Sequence, residues 1–240
     1  GHLNWLCRIW CIGWGEFFNM LLLLSLRDVI EALATCDSNN DVWSRYSWVY
    51  VKDGAPLIEA RFYLSSPEEE SNSVPGENGE EMPAFAVAHG LSYCLEAADF
   101  VDVLSVQKRQ QPLSQLEDYA AALEHYVERD AFLDRGEFYS GRCVDQHPLP
   151  GISRDFFPEY DLQLDTCPAD RIRDAARVIA KLLHISVADA LARCRRLPVI
   201  LGERTDSQGR VRIETQFIAL SLPLQITTHW PLAWLPGVDP

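Results

Sequence analysis

The 240-residue sequence lacks the short motifs that mark many common enzyme classes. It contains no G-x-G-x-x-G or Walker phosphate loop, no G-x-S-x-G nucleophile turn and no H-E-x-x-H metal-binding pair. Cys143, Asp145 and His147 are the residue types of a nucleophilic triad, but the members of a triad normally meet through the fold rather than along the sequence. We therefore predict that the protein is not an enzyme, with no catalytic, cofactor-binding or metal-ligating residues and no cofactor.

The sequence also lacks a cysteine pattern typical of disulfides or metal sites. Its seven cysteines are odd in number and include no C-x-x-C pair. Such usage is typical of the reducing cytosol, where disulfides are rare, whereas a disulfide framework normally pairs an even number of cysteines. We therefore predict a cytoplasmic protein.

A signal peptide is lacking as well, because residues 1–19 have no basic N-terminal region and no small-residue cleavage site. This segment is rich in tryptophan and phenylalanine, and only Arg8 and Glu16 are charged. We expect a non-native or upstream leader here, with membrane anchoring as the alternative, and we predict no stable membrane insertion. If the segment is ordered, its tryptophans must be buried on the domain or against a second copy in a homodimer.

Acidic side chains outnumber basic ones by 35 to 21, and the excess is confined to one part of the chain. Residues 21–160 carry 25 acidic and 10 basic side chains, whereas residues 161–240 carry 9 and 10. The acidic part would repel nucleic acid, so we predict no nucleic-acid partner. It would attract a basic protein, and a simple gain in solubility is the alternative explanation.

Glycine and proline are concentrated in residues 136–158, which we predict to be a linker between two small α+β modules. The first module spans residues 20–135 and the second spans residues 159–230. A Pro-rich tail, residues 231–240, follows and could pack back on the second module.

The second module shows a regular order of predicted elements. Alternation over residues 160–164 predicts a strand, and apolar residues three and four apart predict a helix over residues 169–183. A second helix ends before Pro198, and a third helix over residues 211–222 leads to a closing strand. The order is strand-helix-helix-helix-strand. We expect its core to include Ile179, Leu182 and Leu191.

The run RIRDAARVIAKLLHISVADALARCRRLPVIL, residues 171–201, is similar to the C-terminal domain of the bacterial ribosomal stalk protein. Ala190 and residues 198–201 stand where that domain has its second helix and its Pro-x-x-Leu segment. The glycine-rich turn of that family is replaced here by residues 184–186. The resemblance implies a stalk-like α+β fold and a protein-binding helical face. That face carries the basic residues Arg171, Arg173, Arg177 and Lys181.

The first module begins with Ser25 and Asp28, the spacing of a helical capping box. Helices are predicted over residues 25–33, 97–107 and 113–132, and strands over residues 48–51 and 60–64. Residues 37–41 are a predicted loop. Residues 65–82 are acidic and low in complexity, and we expect them to form a mobile loop.

Part of this module resembles a family of small bacterial proteins encoded beside secreted polymorphic toxins. The similar features are PAFAVAHGLSYCL at residues 83–95, a helix with a late Gln107 and the sequence Asp-Ala-Phe at residues 130–132. Members of that family are taken to be immunity proteins. The resemblance implies effector neutralisation in bacterial competition, by binding a cognate toxin. A nuclease-type toxin would present the basic active-site surface that an acidic module could cover. The alternatives are a translation-linked adaptor that uses the stalk-like module, and an enzyme without a recognisable motif.

We predict that acidic side chains of the first module contact this partner. The candidates are Glu68, Glu69, Glu70, Glu80, Glu81, Asp99 and Asp102. The last two lie on a predicted helix, which fixes a carboxylate better than a mobile loop does. An aromatic anchor would complete the contact, with Tyr63, Trp43 and Trp48 as candidates.

Overall fold

A computed structural model describes residues 23–136 and 148–235 of the chain. Its first range contains α1 (Leu26–Ala34), α2 (Asn39–Arg45), β1 (Trp48–Val51), β2 (Phe62–Leu64), α3 (Pro67–Ser71), β3 (Val74–Pro75), β4 (Glu81–Met82), α4 (Ala84–Ala88), β5 (Ser92–Glu96), α5 (Ala97–Gln110) and α6 (Leu116–Arg129). Its second range contains β6 (Glu159–Leu164), α7 (Ile172–Leu183), α8 (Val187–Cys194), β7 (Val199–Thr205), α9 (Ser207–Ile218) and β8 (Gln225–His229). Helices packed on small antiparallel sheets confirm the predicted α+β class.

The first sheet has the strand order β2-β1-β5 and is antiparallel throughout. Side chains of a strand point alternately to its two faces, so Val49 and Val51 lie on one face of β1 and Tyr50 on the other. Helices α1, α5 and α6 cover the valine face, which we call the helical face. Phe100 and Leu104 of α5 are fully buried there, and each contributes about 1.5–3 kcal/mol of burial free energy.

The opposite face of the first sheet is aromatic. Tyr50 and Tyr63 are buried on it beneath Met82 of β4 and residues of α4. The ring centroids of Tyr50 and Tyr93 are 4.9 Å apart, and those of Tyr63 and Phe85 are 4.5 Å apart. We call this side of the sheet the aromatic face. Its large rings need cover from water, and residues 66–91 supply that cover.

Two segments predicted as loops are folded. Residues 37–41 include the start of α2, whose N-cap Ser38 accepts a hydrogen bond from the backbone of Asp41. Residues 65–82, predicted as a mobile loop, form α3 and the β3–β4 hairpin. A capping box between Ser66 and Glu69 starts α3. Both predictions were wrong because a polar composition concealed good capping residues.

The second sheet is also antiparallel and has the order β7-β6-β8. Helix α7 packs on this sheet through Ala175, Ala176 and Ile179, all of which are fully buried. Ala190 of α8 and Phe217 of α9 complete this second core. Helix α8 begins as predicted, since the Ser186 side chain accepts the N–H of Asp189. Helix α9 begins at Ser207, four residues before the predicted start at residue 211, because Asp206 caps it by accepting the Gly209 N–H.

Strand β7 is missing from the predicted strand-helix-helix-helix-strand order, so that part of the prediction was wrong. The observed order is strand-helix-helix-strand-helix-strand. Val199 and Leu201 are buried while Ile200 is exposed, which is the alternation of a half-buried strand. A short apolar run that directly follows a helix does not by itself distinguish a strand from the end of the helix.

Buried apolar side chains form a first core around β1 and a separate second core around β6. Phe156 and Leu232 flank the β6–β8 region in sequence, yet both are fully buried in the first core. Trp234 packs edge-on against Tyr119, with centroids 5.9 Å apart, and its Nε1 donates to a Glu31 carboxylate oxygen at 2.8 Å. The described start of the tail therefore packs on the first core, not on the second module. The division into two modules stays a prediction.

Replacing Ile179 with Ala should lower the free energy of unfolding by about 2–5 kcal/mol, because the fully buried side chain would leave a cavity. Leu182 was also predicted to lie in the core, but it is only half-buried. Leu182→Ala should therefore cost less, about 1 kcal/mol. Urea denaturation, monitored by circular dichroism, measures both decreases in the free energy of unfolding. A larger loss for Leu182→Ala would contradict the packing of α7.

Candidate functional site

The predicted partner-binding carboxylates fall into two groups on opposite sides of the first sheet. The group beside the aromatic face comprises Glu68, Glu69, Glu70, Glu80 and Glu81, from α3 and the β3–β4 hairpin. Asp99 and Asp102 lie on α5, which covers the helical face. The structure therefore does not bring the seven side chains together into one surface.

Two members of the first group, Glu69 and Glu70, accept hydrogen bonds from other residues of the protein. Glu70 accepts hydrogen bonds from the Tyr50 hydroxyl, at 2.8 Å, and from the Ser65 hydroxyl. Glu69 accepts a hydrogen bond from the Tyr63 hydroxyl and another from the backbone of Ser66, at 2.8 Å. Burial and these carboxylates raise the pKa of both Tyr50 and Tyr63. Glu69 and Glu70 thus hold α3 on the aromatic face, and only Glu68, Glu80 and Glu81 remain fully available to solvent.

The three aromatic anchor candidates differ in exposure. Tyr63 is 6 % exposed and engaged by Glu69, so it is not available to a partner. Trp48 is half-buried and packs edge-on against Tyr93, with centroids 4.9 Å apart. Trp43 on α2 is 54 % exposed. Among these candidates, the structure leaves only Trp43 as a freely exposed ring.

The second acidic group belongs to a larger surface on the helical side. Asp99 and Asp102 are one turn apart on α5, and α6 packs beside this helix. The residues of what we call the α5–α6 surface are Asp99, Asp102, Tyr126, Val127, Asp130 and Phe132. Val127 and Phe132 are 48 % and 38 % exposed, and the Tyr126 and Phe132 ring centroids are 5.2 Å apart. The surface thus combines carboxylates with exposed apolar side chains.

Electrostatic effects show that these groups act on one another. Partial burial raises the pKa of Asp102, and the neighbouring charge of Asp99 raises it further. Burial followed by the charges of Asp99, Asp130 and Asp102 raises the pKa of Tyr126. Like charges held together in this way are destabilising on their own, and a cationic partner would relieve their repulsion.

A buried cation lies where the two cores meet, and sequence reasoning missed it. Lys108 of α5 is fully buried, and its Nζ donates to the Pro231 carbonyl. Burial lowers its pKa to about 7, against the partial opposition of Glu159 and Asp155. A signal was available, because Lys108 follows Val101 and Leu104 at the helical spacings of seven and four residues. These spacings place it on the buried stripe of α5.

The same region contains a histidine–aspartate pair. The Gly151 N–H donates to His229 Nδ1 at 3.1 Å, so the ring proton is on Nε2, which lies 2.7 Å from the Asp161 carboxylate. Burial opposes ionisation of Asp161, but hydrogen bonds from the Arg204 backbone and His229 outweigh it and lower its pKa. The ring thus uses both nitrogens in fixed contacts. It joins β6 and β8 to residue 151.

Metal and thiol chemistry receive no support from the part of the chain that the structure describes. In residues 23–136 and 148–235, no three His, Cys, Asp or Glu side chains are grouped to hold a metal ion. The four cysteines in these ranges are free, and burial raises the pKa of Cys36 to about 11. Cys143, Asp145 and His147 lie outside the described residues. Over the described ranges, no helix combines the length and apolar character that a membrane span needs.

Comparison with protein-family models finds a match over part of the chain. Residues 23–135, just under half of the chain, match a family model described as a domain of unknown function, DUF7716. No curated protein and no solved structure matches the chain. The matched range includes the α5–α6 surface but not Phe156 and Leu232, which complete the first core. The resemblances to immunity proteins and to the ribosomal stalk domain stay predictions.

Replacing Glu70 with Ala should lower the free energy of unfolding by about 1–3 kcal/mol, because the buried Tyr50 hydroxyl would lose its acceptor. Glu68→Ala removes an exposed carboxylate from the same helix and should change it by no more than about 0.5 kcal/mol. Thermal or urea unfolding of the two variants makes the comparison. Equal effects would show that α3 is not held by Glu70.

The stability of the protein should depend on pH through Lys108. Its pKa is about 7 in the folded chain, against an ordinary value of 10.5, so the unfolded chain binds more protons between these values and stability rises with pH. Lys108→Met should remove this contribution. The difference in unfolding free energy, wild type minus variant, should then increase by up to about 1.4 kcal/mol per pH unit between about pH 7 and 8.5.

Urea denaturation at pH 6, 7, 8 and 8.5 measures this difference. Cysteines and tyrosines also titrate above pH 8, but they are present in both proteins and their contributions cancel. A difference that does not change with pH would mean that the Lys108 amine keeps its ordinary pKa and is not in the buried environment described above.

Proposed function

We propose that this protein is an immunity protein that binds a cognate secreted toxin in the cytoplasm and blocks its active site. The α5–α6 surface carries the proposal. Its three carboxylates act on Tyr126, whose ring packs against exposed Phe132, and Val127 next to Tyr126 is exposed as well. Arg109, a cation that acts on Asp102, is paired with Asp155 at 3.6 Å. The surface therefore retains negative charge that a basic partner can neutralise.

The mixture of charge and exposed apolar area fits a protein contact. Interfaces commonly have an aromatic or apolar centre within a polar rim, and a few central side chains carry most of the affinity. Phe132 and Val127 would form this centre, and Asp99, Asp102 and Asp130 the rim. Because these groups lie on or next to packed helices, little conformational entropy is lost on binding.

The mechanism is steric and electrostatic, without a chemical step. A toxin that cleaves nucleic acid binds the phosphates of its substrate with basic side chains. Carboxylates on the α5–α6 surface would occupy the same positions and exclude the substrate. Glu68, Glu80 and Glu81, on the other side of the sheet, would add only long-range attraction, which speeds association over about 8–10 Å at physiological salt.

A translation-linked adaptor is the second candidate. The observation in its favour is the exposed basic face of α7, formed by Arg173, Arg177 and Lys181. A factor with an acidic surface would bind there. Charge reversal on α7 therefore distinguishes the two functions, because toxin binding should not depend on it.

The test uses the full chain and the toxin encoded beside it. Asp99→Lys combined with Asp102→Lys should slow association by about tenfold or more at 50 mM salt, and by much less at 500 mM, because added salt screens the attraction. Phe132→Ala should mainly accelerate dissociation, also by about tenfold, because it removes apolar contact at the centre. Binding kinetics on an immobilised toxin measure the association and dissociation rates. Survival of cells that express the toxin measures protection.

Glu68→Lys combined with Glu80→Lys is the matched control, since it makes the same charge change at exposed positions on the other side of the sheet. It should slow association only slightly and leave dissociation and protection unchanged. Salt-independent association together with full protection by the Asp99→Lys, Asp102→Lys variant would refute the proposed contact. Loss of binding in the control alone would move the contact to α3 and the hairpin.

A further inference from the structure

Strand β7 forms one edge of the second sheet. In the order β7-β6-β8 it pairs only with β6 within the described residues. Its outer side therefore presents backbone N–H and C=O groups along residues 199–203, whereas the Arg204 N–H donates to Asp161 and its C=O accepts from Arg154. Five residues are enough to receive another strand, and Ile200 near the start of β7 is 52 % exposed. Such an edge can bind an extended peptide through backbone hydrogen bonds.

An open groove of about 320 Å³ lies beside the start of this edge. Its lining residues are Ala192, Arg193, Arg196, Pro198, Val199 and Ile200. They belong to the end of α8, the turn that follows it and the first residues of β7. The groove thus joins two guanidinium groups to apolar side chains and to a strand edge.

The arginines at the end of α8 are exposed and uncompensated in the part of the chain that the structure describes. Arg193, Arg195 and Arg196 form no ion pair there, although the whole chain has a net charge of −14. Favourable interaction with the helix dipole explains cations in the last turn of a helix. It does not explain why two of them line a groove beside an exposed isoleucine and a strand edge.

We propose that this groove and the β7 edge bind an extended acidic segment of a partner protein, which joins the second sheet as a fourth strand. The backbone of the segment pairs with β7, its carboxylates bond to Arg193 and Arg196, and an apolar side chain packs on Ile200. Arginine binds carboxylates strongly because its planar group can donate two parallel hydrogen bonds. The site belongs to the second core and does not rest on the toxin-binding proposal.

An acidic peptide fits this site better than nucleic acid does. The strand edge supplies donors and acceptors at the spacing of a peptide backbone, and nucleic acid has no matching backbone. The acidic excess of residues 21–160 also opposes the approach of a polyanion as large as a nucleic acid. A short segment with a few carboxylates experiences less of that repulsion.

The probe is a fluorescein-labelled ten-residue peptide in which Glu alternates with Val, measured with the full-length protein by fluorescence anisotropy. Arg193→Glu combined with Arg196→Glu should weaken its binding by at least about tenfold, the loss of one charge-assisted hydrogen bond or more. Ile200→Lys should weaken it as well, through loss of the apolar contact. A peptide with Lys in place of Glu should not bind.

Arg173→Glu combined with Lys181→Glu is the matched control, because it makes the same charge change at exposed positions on α7. It should leave the affinity within about twofold. If this control weakens binding as much as the groove variant does, the peptide binds a diffuse basic surface and the proposal fails. Circular dichroism of each variant verifies that it is folded.

Backbone pairing is tested separately with two peptides, each methylated on every second backbone nitrogen, so that each blocks the N–H groups on one edge of the added strand. The peptide whose blocked edge faces β7 should lose binding. If both bind as well as the parent peptide, strand addition is refuted. Two further results would overturn the choice of partner: tighter binding of a single-stranded oligonucleotide than of the peptide, or concentration-dependent self-association that Arg193→Glu with Arg196→Glu abolishes.

Discussion

The structure depends on the return of the chain to its first core. Phe156 and Leu232 stand on either side of β6–β8 in sequence, and both are fully buried with the side chains of α1, α5 and α6. Without these two side chains the core would contain cavities of their size, and such cavities lower the free energy of unfolding. The Lys108 amine next to this closure is satisfied by the Pro231 carbonyl, so the same return also compensates a buried cation. The chain segments before β6 and after β8 are thereby both anchored in the first core.

Net charge alone does not locate a binding surface in this protein. Glu69 and Glu70 are used to fix α3 on the aromatic face, and Glu159 is 7 % exposed and bonded to Arg154 at 2.9 Å. Such carboxylates contribute to the formal charge, but their oxygens are already bonded within the protein and are not available to a partner. The α5–α6 surface differs, because no ion pair within the described residues engages its carboxylates, and they act on Tyr126, which packs against exposed Phe132. On the second sheet the sign of the charge is reversed, since arginines that form no ion pair in the described part of the chain lie beside the β7 edge.

Local chemistry was predictable from the sequence, and contacts between distant residues were not. The capping box of Ser25 and Asp28 and the strand at residues 48–51 were predicted correctly, because each depends on neighbouring residues alone. Residues 65–82 were predicted to be mobile from their acidic, low-complexity composition. The hydrogen bond from Tyr50 to Glu70 that holds this segment spans twenty positions, and no local pattern indicates it. Asp99 and Asp102 were recognised as candidates from charge and helical spacing. Their grouping with Asp130 and Phe132 depends on how α6 packs against α5, which the sequence pattern does not specify.

Hydrogen exchange of the free protein and of its complex with the proposed toxin partner tests the central claim most directly. Binding through the α5–α6 surface predicts slower backbone exchange in residues 97–102 and 126–132 of the complex, with unchanged exchange in residues 68–81 and in β7. Amides at a contact exchange more slowly because binding reduces their access to water and their local opening. Protection confined to residues 68–81 or to the second sheet, with none on α5 and α6, would contradict the account.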